Sequence, residues 1–237
     1  MRSILTILLS VLCLSMSAQE KKRDNKMDNY MPMMTRGIGV SFQKFEGLNS
    51  RIAQFPQYKP LKDHMWSISA GSMHVKNNFI SQLAINAGSS LSGDRDKKSS
   101  ALRFIGAGLD LGYDFIPDAR LMLYPLAGVG VETYHAIFYK DNSGVNFDDV
   151  AEFPVVQNNI RSVKFVNTFF TYHFGLGFAL KSPKSGGSIG IQAGYTGSFK
   201  DKAWKSAEYQ SLNNAPSDNL SRFAVSLVFT GGMNMMK

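Results

Sequence analysis

Four histidines, His64, His74, His135 and His173, are the side chains of this chain best suited to proton transfer or metal ligation. None stands in an HExxH or HxH spacing, so the sequence offers no local zinc ligand set. Serines are numerous, and a Ser-His-Glu constellation could be drawn from almost any of them. Triads are defined by geometry and role, and no motif singles one out here. No catalytic residue, metal ligand or cofactor is therefore assigned. The lone cysteine, Cys13, follows Leu12, which is too large for the small residue that precedes a lipidated cysteine. Beyond it, no disulfide, thiolate or cysteine-zinc chemistry is open to the chain.

Charged residues that alternate with glycines carry more information. Asp110 shares its parity with Gly106, Gly108 and Gly112, and Glu132 with Gly128, Gly130, Tyr124 and Tyr134. Arg222 has the parity opposite to Phe223, Val225, Leu227 and Phe229. In a strand, successive side chains point to opposite sides, so these residues share faces with small or polar neighbours. Asp110, Glu132, Tyr134 and Arg222 are read as an interior polar cluster, with Glu132 and Arg222 as partners across it. A buried ion pair that fills the interior is the structural reading; a gate or proton path is the alternative. Tyr124, Glu132, Tyr134 and Arg222 are tall enough to close the end nearer the long loops. His173 shares parity with Gly175 and Gly177 and is expected to hydrogen-bond a neighbouring strand, whereas His135 has the outward parity of Val129 and Val131.

The elements that must hold these residues recur eight times. Alternating segments run over about 36–46, 64–75, 79–91, 101–115, 119–139, 162–181, 187–197 and 219–231. The fifth is the clearest, with Leu121, Leu123, Pro125, Ala127, Val129 and Val131 on one face. Connections at 47–63, 92–100, 140–161 and 198–218 are long; Lys76-Asn77-Asn78, Ile116-Pro117-Asp118 and Ser182-Pro183-Lys184-Ser185-Gly186 are short turns rich in breakers. Strands of about 10 residues match a tilted membrane strand, whereas soluble strands average about 5 or 6. An apolar face opposed to Gly, Ser, Asn and Gln argues against a lipocalin, whose bulky apolar face would point inward. The chain therefore reads as all-β: an eight-stranded antiparallel up-and-down transmembrane β-barrel over residues 36–232. The aromatics near strand ends (Trp66, Tyr113, Phe115, Tyr195, Phe223 and Phe229) suit interfacial girdles.

Composition agrees with an exported barrel. Arg2, the apolar run from Ile4 to Leu14 and the small residues Ser15, Ser17 and Ala18 read as a signal peptide over 1–18. Residues 19–35 are expected to be a mobile periplasmic segment, and 233–237 a short tail. Glycine is frequent at 21 residues and mean hydropathy is −0.13, with no helix-length apolar run past the leader. The net charge of +8 is scattered over loops and termini, without an aromatic-basic groove for nucleic acid. For an exported chain, anionic lipid and lipopolysaccharide are the partners such charge meets first.

The runs Tyr124-Pro125-Leu126-Ala127-Gly128-Val129-Gly130-Val131-Glu132 and Tyr172-His173-Phe174-Gly175-Leu176-Gly177-Phe178, behind a leader ending Ser17-Ala18-Gln19, resemble the small outer-membrane barrels of the OmpA transmembrane type. They are most similar to the "outer membrane protein beta-barrel" group of Bacteroidota, PorT-like proteins included. The resemblance covers the mature chain and implies a Gram-negative outer membrane, periplasmic termini, insertion by the barrel-assembly machinery and a monomer without an open pore. It departs at the end, where Phe229 is followed by a tail closing on Met235-Met236-Lys237 and not on an aromatic residue. The expected role is non-catalytic, a structural or docking and adhesion role carried by extracellular loops. A PorT-like accessory of a secretion system, with envelope or secretion proteins as partners, and a lipid A-modifying enzyme are the alternatives.

Overall fold

The computed structural model describes residues 32–93, 98–116, 120–182 and 187–232. The expected leader, most of the segment 19–35, the tail 233–237 and parts of the two proline-containing turns lie outside the described residues. The strands are β1 (Pro32–Gln43), β2 (His64–Lys76), β3 (Phe79–Gly93), β4 (Lys98–Tyr113), β5 (Leu121–Phe138), β6 (Val163–Lys181), β7 (Ser188–Ser198) and β8 (Ser221–Gly232). Each pairs antiparallel with its sequence neighbours, and β1 pairs with β8 from Met33↔Gly232 to Gln43↔Arg222. The sheet is thus a closed eight-stranded barrel, in which the first and last strands satisfy each other's backbone groups.

Period-2 alternation decides which side chains face where. Outward positions such as Ile68 (63% exposed), Leu109 (51%) and Val129 (55%) form an apolar surface around the barrel, while Gln82, Glu132, Thr171 and Arg222 are buried inside. A water-soluble sheet would bury the first set and expose the second; this inversion is what a lipid surround demands. The turn between β2 and β3 is tight because Asn77 and Asn78 adopt positive φ (52° and 65°), the conformation two-residue hairpins require.

β1 begins at Pro32, four positions earlier than the alternation from Arg36 suggests. Thr35 is buried and Met34 exposed, so the alternation continues backward, and β8 reaches Gly232 to pair with it. Residues 32–35 therefore belong to the barrel and not to a mobile segment. The long connections also hold helices that alternation could not reveal: α1 (Glu46–Ile52), α2 (Phe147–Glu152) and α3 (Pro154–Ile160), the last with proline at its start.

At the end bearing the long connections, β3 to β6 overreach their neighbours: Ser92↔Ser100, Ser100↔Phe138 and Phe138↔Val163 pair beyond the ends of β1 and β7. This raised wall is packed from inside. Leu48 and Ile52 of α1, with Phe45, Leu61, Trp204 and Leu220, join Leu102, Phe104, Tyr134, Phe138 and Phe169 in one buried cluster. A second cluster (Met73, Ile80, Met122, Tyr124, Leu126 and Ala179) fills the end bearing the short turns. Tyr124 therefore fills the short-turn end rather than the long-loop end, because it lies only three residues into β5, which rises from that end.

Leu109 and Val129 lie opposite each other on β4 and β5, facing outward. An arginine at the midplane of a barrel's lipid face costs about 2 to 4 kcal/mol. Leu109→Arg and Val129→Arg are expected to lower the unfolding free energy in phosphatidylcholine vesicles by that amount, read from urea titration of the heat-modifiable folded band. Unchanged midpoints for both would show that this face does not meet lipid.

Candidate functional site

Glu132 and Tyr134 point inward because they lie two apart on β5, and Arg222 enters near the top of β8, opposite Gln43 and Thr196. The Arg222 guanidinium donates through Nη2 to Glu132 Oε1 at 2.5 Å and to Thr196 Oγ1 at 3.4 Å. Tyr134 donates its hydroxyl proton to Glu132 Oε2 at 2.8 Å and accepts from Arg222 Nη1 at 3.4 Å. Phe104 lies beneath the cation, with the guanidinium carbon 4.5 Å from the ring centroid, and stacks on Tyr134 at 5.3 Å. Burial leaves the side chains of Arg222 and Glu132 only 6% and 2% exposed. Charges this dry are tolerable only when paired and hydrogen-bonded on most sides.

Asp110 stands apart from this cluster. Its carboxylate accepts from His173 Nδ1 at 3.0 Å, and in the neutral ring Nε2 accepts from the Thr171 hydroxyl at 3.0 Å. Asp110 is on β4 and His173 on β6, so β5 runs between them. Asp110, Gly128 and His173 occupy one row of the sheet. A Cβ on Gly128 would meet the Asp110 carboxylate, and one on Gly130 would lie 2.9 Å from His173 Cε1. Two glycines thus open the gap through which side chains from non-adjacent strands meet. His173 does hydrogen-bond another strand, but not its immediate neighbour.

Between the two apolar clusters lies a polar chamber of about 120 Å³. Gln82, Asn86, Asp110, His173, Gln192, Thr196 and Arg222 are among its lining residues. Gln82 Oε1 and Arg222 Nε are buried without a protein partner, which suits a hydrated space. The Thr171-His173-Asp110 arrangement has the hydrogen-bond order of a hydrolase relay. Thr171, however, is fully buried, so a substrate carbonyl has no approach to its hydroxyl. What the geometry does achieve is to fix the imidazole and satisfy the carboxylate.

A third carboxylate, which sequence patterning did not single out, closes the long-loop end. Asp218 accepts from the backbone N–H groups of Gly47 and Leu48 at 2.7 and 2.9 Å and from Trp204 Nε1 at 2.7 Å. It caps the start of α1 and holds the β7–β8 connection to the β1–β2 connection. Trp204 is fully buried and packs edge-on to Phe45 at 5.3 Å. A tryptophan amid the lysines of 198–218 was the one available signal, since a large apolar side chain in a polar loop must bury somewhere.

Residues 6–229 match the family model described as "Outer membrane protein beta-barrel domain". The chain is similar to the solved structure of Ail, the attachment invasion locus protein of Yersinia pestis, at 11% identity and a TM-score of 0.45, over 85% of this chain and 99% of that one. It is also similar to Neisserial surface protein A, at 8% identity and a TM-score of 0.50, over 85% and 96%. At these identities the likeness is one of fold alone. No curated protein matches the sequence.

Arg222→Ala would strand Glu132 in the interior, and breaking a buried pair costs about 3 to 5 kcal/mol. The double change with Glu132→Gln is expected to recover part of that loss in a double-mutant cycle by urea unfolding; strictly additive losses would deny the coupling. Asp218→Ala removes the cap and the indole's acceptor together, at about 1 to 3 kcal/mol for the stranded donor alone. Its expected signs are a red-shifted Trp204 emission and faster proteolysis at Arg51, with the barrel's heat-modifiable migration retained.

Proposed function

The chain belongs to the outer membrane protein β-barrel domain family, and from that premise we propose that it is a closed, non-conducting barrel of the Gram-negative outer membrane whose exposed loops do its work. The observation that carries this reading is the division of apolar residues between the two ends of the loop system. Connections β1–β2 and β7–β8 send Phe45, Leu48, Ile52, Leu61, Trp204 and Leu220 inward to one cluster and leave Phe55, Phe199, Tyr209 and Leu212 exposed. The β5–β6 connection sends none inward: α2 and α3 bury no residue, and Phe147 is 83% and Val155 71% exposed beside Asp148, Asp149 and Glu152. Exposed apolar side chains grouped on one arm are suited to contact another surface. The arm is the docking element in this reading, and the filled lumen is the reason to look there rather than to transport.

In this topology both termini and the short turns face the periplasm, and the long connections face outward. Protease added to intact cells is expected to cut at exposed Lys200 and to spare Lys76; cleavage at Lys76 alone would invert the topology. Purified protein in planar bilayers is expected to show no steady porin-sized conductance. Cells of a non-adherent host displaying the barrel are expected to be retained on matrix-coated glass. That retention should fall at least fivefold when Phe147, Phe153 and Val155 are replaced by serine. Undiminished retention would remove the arm from the function.

A further inference from the structure

The strand register gathers positive charge on the outside of the barrel at one height. Arg103 of β4 pairs directly with His135 of β5, His135 with Val166 of β6, and Val166 with Lys205 of the two-residue strand Lys205–Ser206. Paired residues share a face, and the parity of this row is that of the exposed Ile105, Val129 and Phe170, with Val166 itself buried at 2% and His135 half-buried between the exposed Arg103 and Lys205. Lys164 lies on the same face one outward position further along β6, opposite Ile137. Lys202 sits just below, its ammonium 5.6 Å from the centre of the exposed Phe170 ring. Arg103, Lys164, Lys202 and Lys205 are all exposed. Among the described residues none of these side chains forms an ion pair: the bridges present join Lys44 to Asp63, His173 to Asp110, Lys181 to Asp114 and Arg222 to Glu132.

Lys164 and Lys205, diagonal to each other across the edge of β6, repel, and among the described residues no ion pair offsets this charge. Its position supplies the reason. Below it comes the row of Ile105 with the hydrogen-bonded Thr133 and Thr168, and beyond that the outward face turns apolar, to Leu109, Val129 and the aromatic group of Phe170, Tyr172, Phe174 and Phe199. A row of cations above an aromatic and aliphatic belt lies at the depth of lipid headgroups. We propose that the outward face of β4 to β6, completed by Lys202 and Lys205, binds the phosphate groups of lipid A. The choice of lipid A over phospholipid rests on the reading that the long-loop end lies in the outer leaflet.

The protein, purified from outer membranes and delipidated in neutral detergent, is titrated with phosphorylated lipid A and with dephosphorylated lipid A, and bound lipid is counted by native mass spectrometry. Each Lys or Arg near an anionic headgroup contributes about fivefold in affinity. The phosphorylated form is expected to bind at least tenfold more tightly, and added salt should erase the preference. The triple variant Arg103→Gln, Lys164→Gln, Lys205→Gln is expected to lose it, whereas Lys59→Gln with Lys62→Gln, at the same end but off the row, keeps it. No preference in the unaltered protein, or full preference in the folded triple variant, overturns the proposal. Should the triple variant not fold, the salt-sensitive preference of the unaltered protein decides. Binding in detergent does not depend on orientation, so the protease experiment fails or succeeds separately from this one.

Discussion

Closure of a narrow barrel is the constraint from which the remaining features follow. In lipid every backbone N–H and C=O must be paired within the protein, and an eight-stranded sheet achieves this only by joining its first strand to its last. Eight strands enclose an interior barely wide enough for side chains. Interior positions must therefore be small where strands crowd and large only where a gap exists. The alternation of Gly106, Gly108, Gly128 and Gly130 with Asp110, Glu132 and Tyr134 follows from that limit, more than from any intrinsic strand preference of glycine, which is poor. The same limit makes each interior charge answerable to another. Glu132 has room for Arg222 because Gly106 faces it from β4, where an added Cβ would lie 2.6 Å from the Glu132 side chain.

Two interior pairs, stacked at different heights, share this logic while differing in strength of enclosure. Glu132 and Arg222 lie against the aromatic wall of Phe104 and Tyr134, dry and joined through several hydrogen bonds. Asp110 and His173 border the polar chamber, with side chains 13% and 16% exposed. Breaking the first pair strands Glu132 against the aromatic wall, whereas Asp110 and His173, like Arg222 Nε, have water-sized space beside them. The apolar clusters close this interior at each end.

The eight strands were legible because a membrane sheet obeys a stricter alternation than a soluble one: lipid on one side and a crowded lumen on the other leave few exceptions. Strand bounds came within a few residues, and the faces assigned to Ile105, Leu109, Phe174 and Leu227 are the faces observed. Glu132 and Arg222 were legible as neighbours because parity and the rise of each strand set their height. Asp110 was misgrouped, since parity places a residue inside without saying which row it shares, and its row runs through Gly128 to His173. The helices and the Asp218 clamp were not legible. Their interactions join residues as far apart as Gly47 and Asp218, and no local period records such a contact.

The clamp also explains an asymmetry among the loops. Connections β1–β2 and β7–β8 flank the closure between β1 and β8, where the wall is lowest because those strands stop at Gln43 and begin at Ser221. Without a cover, the cluster beneath the raised wall of β3 to β6 would face water on that side. Asp218 brings the two connections over the gap by capping α1 and holding the Trp204 indole at once. The β5–β6 connection springs from the top of the wall itself, beyond Phe138 and Val163, with no gap to cover. Its helices are left without an internal surface to pack on, and their apolar side chains remain outside. The uneven height of the strands thus decides which connections pack inward over the barrel and which lie wholly outside it.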